Sequence, residues 1–238
     1  MSTTMQGLAE LPARDGYSVV MQTPPRRSPG RPFAANRDAV ERAALTLMLR
    51  EGYDQVSVDD IAREAGIGRT TFFRYFKSKP GVVWSAFDDT ISWLAQNLTE
   101  KQEHPGILDA VRESIIDSTR SAIYNSDVWL ERFRLLDSCG ELRADAYDHW
   151  ERWASAVATF VATRTGIAPQ DAIPMAIAGA ARGMFVSELR HWLNTDDNRE
   201  DILNRLDHNL KTVFTALNGL LADPDGGLHS RGGPEGPP

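Results

Sequence analysis

From Asn36 to Leu221 the apolar positions recur every three or four residues, and no stretch alternates with a period of two, so the pattern predicts helices and no strands. Asn36 is a suitable helix cap, with Val40, Ala43, Ala44, Leu47 and Met48 on one face behind it and Gly52 as a stop. Ser57 caps a second short helix that has Asp59 and Asp60 in its first turn and buries Val58, Ile61, Ala62 and Ala65. Gly66 supplies the positive φ of a tight stop, and Ile67 fills the corner. A third helix, roughly Arg69 to Tyr75, points Phe72 and Phe76 inward. Ser78 then caps a long fourth helix that accepts Pro80 in its first turn.

Further helical stripes follow. Val83, Phe87, Ile91, Leu94 and Leu98 form one that Pro105 and Gly106 interrupt, and helices are predicted over Ile107–Tyr124, Asp127–Ser138, Glu141–Thr165, Gln170–Asn194 and Arg199–Leu221. The fold class is all-α. Residues 1–35, with Pro12, Pro24, Pro25, Pro29 and Pro32, read as a flexible leader whose end, Arg26 to Pro32, is basic enough to lie along a phosphate backbone. Residues 36–79 form a three-helix unit, residues 80–222 a helical body, and the Gly- and Pro-rich residues 223–238 a disordered tail.

Composition narrows the classes of function. The single cysteine, Cys139, excludes an internal disulfide and a CxxC site. No apolar run approaches the roughly 20 residues of a membrane helix, which predicts a cytoplasmic protein without membrane contact. The net charge of −7 is unevenly distributed: Arg26 to Lys79 hold 11 Lys and Arg against 7 Asp and Glu, whereas Pro80 to Pro238 hold 14 against 24. A basic end on an acidic body suits a protein that meets phosphate with that end alone.

The chemistry concentrates in Ser57–Lys79, SVDDIAREAGIGRTTFFRYFKSK, two short helices around a glycine turn. That is the outline of a helix-turn-helix reader, in which the second helix enters the major groove by its N-terminal end. Gly68, Arg69, Thr70 and Thr71 stand at that end. Arg69 can donate twice to guanine, and the threonines can touch a thymine methyl or a phosphate. Arg74, one turn on, can reach a base or the backbone, while Tyr75 and Lys79 suit phosphate. With the Ser57 cap, these residues are the expected DNA-binding set.

Residues Arg37 to Phe87 resemble the N-terminal domain of TetR-family transcriptional regulators, through Gly66, Ile67, Arg69, Thr71, Phe72, Arg74, Tyr75, Phe76, Ser78 and Lys79. Two positions depart from the pattern: Gly68 stands where a serine or threonine often caps the recognition helix, and Phe73 where a tyrosine often contacts phosphate. GIGRTTFFRYF with Trp84 and Phe87 is most similar to an actinobacterial branch that includes mycofactocin-system regulators. The resemblance implies a homodimer on a near-palindromic double-stranded operator, a repressor released by a small-molecule effector, and no cofactor. An acyl-CoA or another apolar ligand is the effector class that branch suggests.

The body offers candidates for both remaining roles. AIAGAARG, from Ala176 through Ala180 to Gly183, is nearly all small and lets another helix approach closely. Leu210, Phe214 and Leu217 belong to a wide apolar stripe, so that two helices per subunit can build a four-helix contact. Trp129, Phe133, Trp150 and Trp153, with Arg132 beside them, are the candidate ligand-binding residues, as core or as the wall of a cavity whose arginine receives a carboxylate or phosphate. A competing class is a helical enzyme or small-molecule carrier. Glu188 and His191 form half of a carboxylate-bridged di-iron motif, but the other histidines lack a glutamate three residues earlier, and Glu188 is expected on the solvated surface. No GxSxG, Walker or Rossmann motif occurs.

Overall fold

In the computed structural model, residues 36–222 are described, 196 excepted; the expectations for the leader and the tail lie outside the described residues. Asn36 Oδ1 accepts from the Ala39 N–H at 2.9 Å and starts α1, Arg37–Glu51. Gly52 ends it at φ +94°, and the chain makes a 3₁₀ turn, Tyr53–Gln55, that the periodicity did not reveal because three residues carry no period. Ser57 and Asp60 form a reciprocal capping box at the start of α2, Val58–Glu64. Gly66, at φ +64°, turns the chain into α3, Arg69–Phe76. Val40, Ala44, Met48, Ile61, Phe72 and Phe76 bury the inner faces of these three helices against one another.

The body follows as α4 (Lys79–Glu100), α5 (Ile107–Asn125), α6 (Trp129–Ser138), α7 (Gly140–Thr165), α8 (Ala172–Leu193) and α9 (Arg199–Ala222). Among the described residues there is no strand. Helix α4 packs on α5 and α7, α7 packs on α8, and α9 closes the bundle against α5 and α8. Cys139 alone separates α6 from α7, so Gly140 opens a helix rather than following one. The joint between α3 and α4 is tight. A methyl group on Gly81 would stand 2.0 Å from the Phe76 carbonyl oxygen, so only glycine allows α4 to leave α3 along this path.

Two expectations about burial need correction. Leu210 and Phe214, assigned to a contact between subunits, are buried in their own protomer. They continue the line of Leu203 and Leu206 that packs α9 onto α5 and α8, because the α9 stripe is wider than one contact and its first line closes the bundle. Leu217 and Leu221 are half-buried and Leu220 is exposed. Glu188 is not on the surface: it accepts from Arg205 Nε at 2.5 Å and from Asn209 Nδ2 at 2.6 Å, tying α8 to α9. His191 pairs with Asp197 at 3.4 Å, and no cluster suited to a metal ion occurs among the described residues.

Candidate nucleic-acid interface

Helix α3 owes its position to Phe72 and Phe76, which bury one face in the core of the three-helix unit and leave the other to solvent. Gly68, Arg69, Thr70, Phe73, Arg74 and Lys77 are exposed, and Thr71 and Tyr75 half-exposed. Gly68 caps α3 with its backbone alone; its carbonyl accepts from the Thr71 and Phe72 N–H groups at 2.9 and 3.1 Å, and no side chain adds to it. The Gly68 carbonyl thus engages the Thr71 and Phe72 N–H groups and not those of Arg69 and Thr70.

The cations on this face are not equivalent. Arg69 Nη1 lies 2.7 Å from Asp59 Oδ1 of α2, and its guanidinium sits 5.2 Å from the centre of the Phe73 ring. Asp59, which the sequence suggested only as a favourable charge at a helix start, thus pairs across the turn with the base-reading candidate and competes for its guanidinium. Phe73 supplies a flat support instead of a phosphate donor. Arg74 lies 5.2 Å from the Tyr75 ring. Ser57 acts as the α2 cap, with its hydroxyl donating to Asp60 Oδ2 at 2.5 Å and accepting from the Asp60 N–H at 3.2 Å. Bonds from the Ser57 hydroxyl and then the Ser57 backbone, with Arg63 alongside, hold the Asp60 carboxyl down at about 2.

Lys79 departs from its expected role. Its ammonium donates to the carbonyls of Tyr53 at 2.9 Å and Val56 at 3.0 Å and lies 3.9 Å from the centre of the Tyr53 ring. It fastens the first turn of α4 to the 3₁₀ turn instead of offering a charge to phosphate. The Tyr53 carbonyl also accepts from the Val56 N–H at 3.2 Å, so the lysine adds a second donor to an oxygen with two lone pairs. Lys77, exposed and at φ +61° just past α3, is the lysine that faces outward and was not singled out by the sequence pattern.

The five candidate ligand-binding residues do not share one cavity. Phe133 and Trp150 line a cavity of about 240 Å³ between α6, α7 and α8, with Leu136, Leu189, Arg143 and Arg190. Trp129 and Arg132 line another of about 170 Å³ beneath α1. Trp153 lines neither; it stacks on Phe185 with ring centres 5.4 Å apart and is core. On α8 the small residues Ala176, Gly179 and Gly183 are exposed and Ala180 is half-exposed.

Comparison with known proteins agrees with this geometry. The family described as bacterial regulatory proteins, tetR family, matches residues 42–83, and the MftR C-terminal domain matches residues 106–218. A Mycobacterium tuberculosis protein named as a mycofactocin biosynthesis transcriptional regulator, MftR, is 30% identical over 167 residues, covering 70% of this chain and 84% of that protein. The HTH-type transcriptional regulator EthR of Mycolicibacterium smegmatis is 29% identical over 166 residues, 64% of this chain and 72% of the relative. Among solved structures, a TetR-family regulator from Syntrophomonas wolfei aligns with TM-score 0.59 at 16% identity, over 75% of this chain and 94% of its own. Thermus thermophilus FadR, a TetR-family transcriptional repressor in complex with lauroyl-CoA, aligns with TM-score 0.50 at 20% identity, over 85% and 100%.

Proposed function

We infer the mode of action from one fact: this chain belongs to the TetR family of bacterial regulatory proteins and is a DNA-binding transcriptional regulator. Its action is that of a ligand-responsive repressor, dimeric on a near-palindromic operator. Residues 36–79 are the reader and residues 80–222 the effector-binding and dimerising body. Arg69, Thr70 and Arg74 face base edges, with Thr71 beside them, and Tyr75 and Lys77 take phosphates. The observation that carries this reading is the division of α3, with Phe72 and Phe76 buried and a polar, cationic face turned outward.

Dimerisation uses the exposed small face of α8 around Ala176, Ala180 and Gly183, flanked by Leu217 and Leu220 of α9. Two recognition helices held about 34–36 Å apart then enter successive major grooves. The effector enters the body near Phe133 and Trp150. The lauroyl-CoA bound to T. thermophilus FadR, a chain of the same fold, supports an acyl-CoA or another apolar molecule. The 240 Å³ cavity is below the roughly 300–1,000 Å³ of drug-sized ligand sites, so α6, α7 and α8 separate to admit such a ligand. Binding tilts α4, which runs directly into the reader, and changes the spacing of the recognition helices. No catalytic role and no cofactor enter this scheme, and the protein acts in the cytoplasm.

The test is fluorescence anisotropy of full-length protein on DNA from upstream of its own gene, with random DNA as competitor across a salt series. A salt-sensitive preference for the upstream fragment is expected. Equal affinity for both DNAs refutes the reading.

A further inference from the structure

The 170 Å³ cavity beneath α1 has an unusual wall. It lies where α1 of the reader meets α4, α5 and α6 of the body, and Trp93, Trp129, Arg132 and Glu41 are among the residues that line it. Arg132 and Glu41 are both buried, with 2% and 5% of their surface exposed. Glu41 Oε1 is 2.7 Å from Arg132 Nη2, so the charges meet. The hydrogen-bond alignment is nevertheless missing: Arg132 Nε and Nη2 and Glu41 Oε1 lack hydrogen-bond partners among the described residues. Nη1 donates to Ser126 Oγ at 3.1 Å.

Nε and Nη2 share one edge of the guanidinium, the edge that grips a carboxylate with two parallel N–H bonds, and Glu41 meets that edge at Nη2 alone and out of alignment. Buried donors without acceptors are costly, and a charge pair that touches without bonding leaves both partners short. An incoming carboxylate aligned on that edge repairs the arginine. Arg37, one helical turn from Glu41, lines the same cavity with Asp38 and Asp89; it pairs with Asp89 at 3.7 Å and lies over the Phe76 ring, so Glu41 on release must share it with Asp89. We propose that this cavity is a binding site for the carboxylate of a small organic acid, which takes Arg132 from Glu41 and so loosens α1 of the reader from α6 of the body. The flanking indoles suit an apolar remainder, and the volume restricts it to a short chain or one ring. The site is distinct from the larger cavity at Phe133 and Trp150. Its regulatory consequence, though not the binding itself, rests on the repressor reading above.

Isothermal titration calorimetry of the full chain with benzoate, phenylacetate and butyrate, and with benzamide as the uncharged control, tests the site. At least one acid binds saturably and benzamide does not. Glu41→Gln removes the competing charge and tightens that acid. The double variant Arg132→Met with Glu41→Met, a replacement that buried ion pairs tolerate, keeps its helical circular dichroism and weakens the acid by roughly tenfold to a hundredfold, the scale of charge-assisted bonds. Absence of saturable binding by all three acids, equal binding by benzamide, or binding retained in the double variant overturns the proposal. Operator affinity of the unliganded protein is measured in parallel. Operator binding without an acid response overturns this site and leaves the repressor reading standing, whereas an acid response without operator binding does the reverse.

Discussion

Replacing Lys79 by methionine separates two roles that a lysine beside a reader helix can have. If Lys79 is a phosphate contact, its loss removes one charge pairing and lowers the slope of log K against log salt by about 0.9. The geometry argues for the other role. The ammonium makes two charge-assisted bonds, to Tyr53 and Val56, at 2.9 and 3.0 Å, and lies against the Tyr53 ring. Each such bond contributes about 1.5–3 kcal/mol, and a cation over an aromatic ring about 0.5–2. These terms are not additive, and Lys79 is only half-buried, so water partly replaces what is lost. A net destabilisation of about 2–3 kcal/mol is expected, with methionine keeping most of the apolar stem in place. Urea denaturation at fixed protein concentration should show a lower midpoint at unchanged m-value. Anisotropy on operator DNA at temperatures where the variant stays folded should show an unchanged salt slope. A slope reduced by one phosphate, with an unchanged urea midpoint, would refute the structural role.

Three further outcomes are expected. Arg69→Ala costs about 1–3 kcal/mol of discrimination at one base pair, whereas Asp59→Asn frees Arg69 from an exposed pair worth about 0.2–1 kcal/mol and tightens operator binding accordingly; competition with single-base operator variants reads both, and a uniform loss across all sequences for Arg69→Ala contradicts the base contact. The Asp60 carboxyl is held at about 2 against its ordinary 3.8, so its stabilising effect is full above pH 3.8 and disappears as the pH falls toward 2; Asp60→Asn should flatten that acid limb of stability, and an unchanged acid limb would count against the capping box. A Cβ on Gly183 meets nothing within 4 Å in its own protomer, so Gly183→Leu should leave the helical circular dichroism intact while light scattering reports a monomer; a persistent dimer would rule out the α8 contact.

The reader was the most legible part of the chain because its instructions are local. Asn36, Ser57, Gly66 and Ser78 act within three or four residues of themselves, and the apolar period placed Phe72 and Phe76 correctly in the core. Lys79 was misassigned because its partners, Tyr53 and Val56, are more than twenty positions away and belong to a turn without a period. The body failed in a similar way. A stripe on α9 shows which residues avoid water but not whose surface covers them, and Leu210 and Phe214 are covered by their own protomer. Glu188 and Arg132 are polar letters in a sequence, with nothing beside them to announce a buried partner on another helix.

The contact between Gly81 and the Phe76 carbonyl bears on how such proteins can be recombined. With no room for even a methyl group at that joint, the end of α3 and the start of α4 behave as a coupling without lost motion. Helix α4 rises about 33 Å over its 22 residues. A tilt of about 5° would therefore displace one end relative to the other by about 3 Å. Operator preference can drift on the outer face of α3 while the transmission stays untouched. A chimera that grafts a foreign reader onto this body should accordingly be spliced beyond Gly81, inside α4, so that the donor's own coupling travels with its reader.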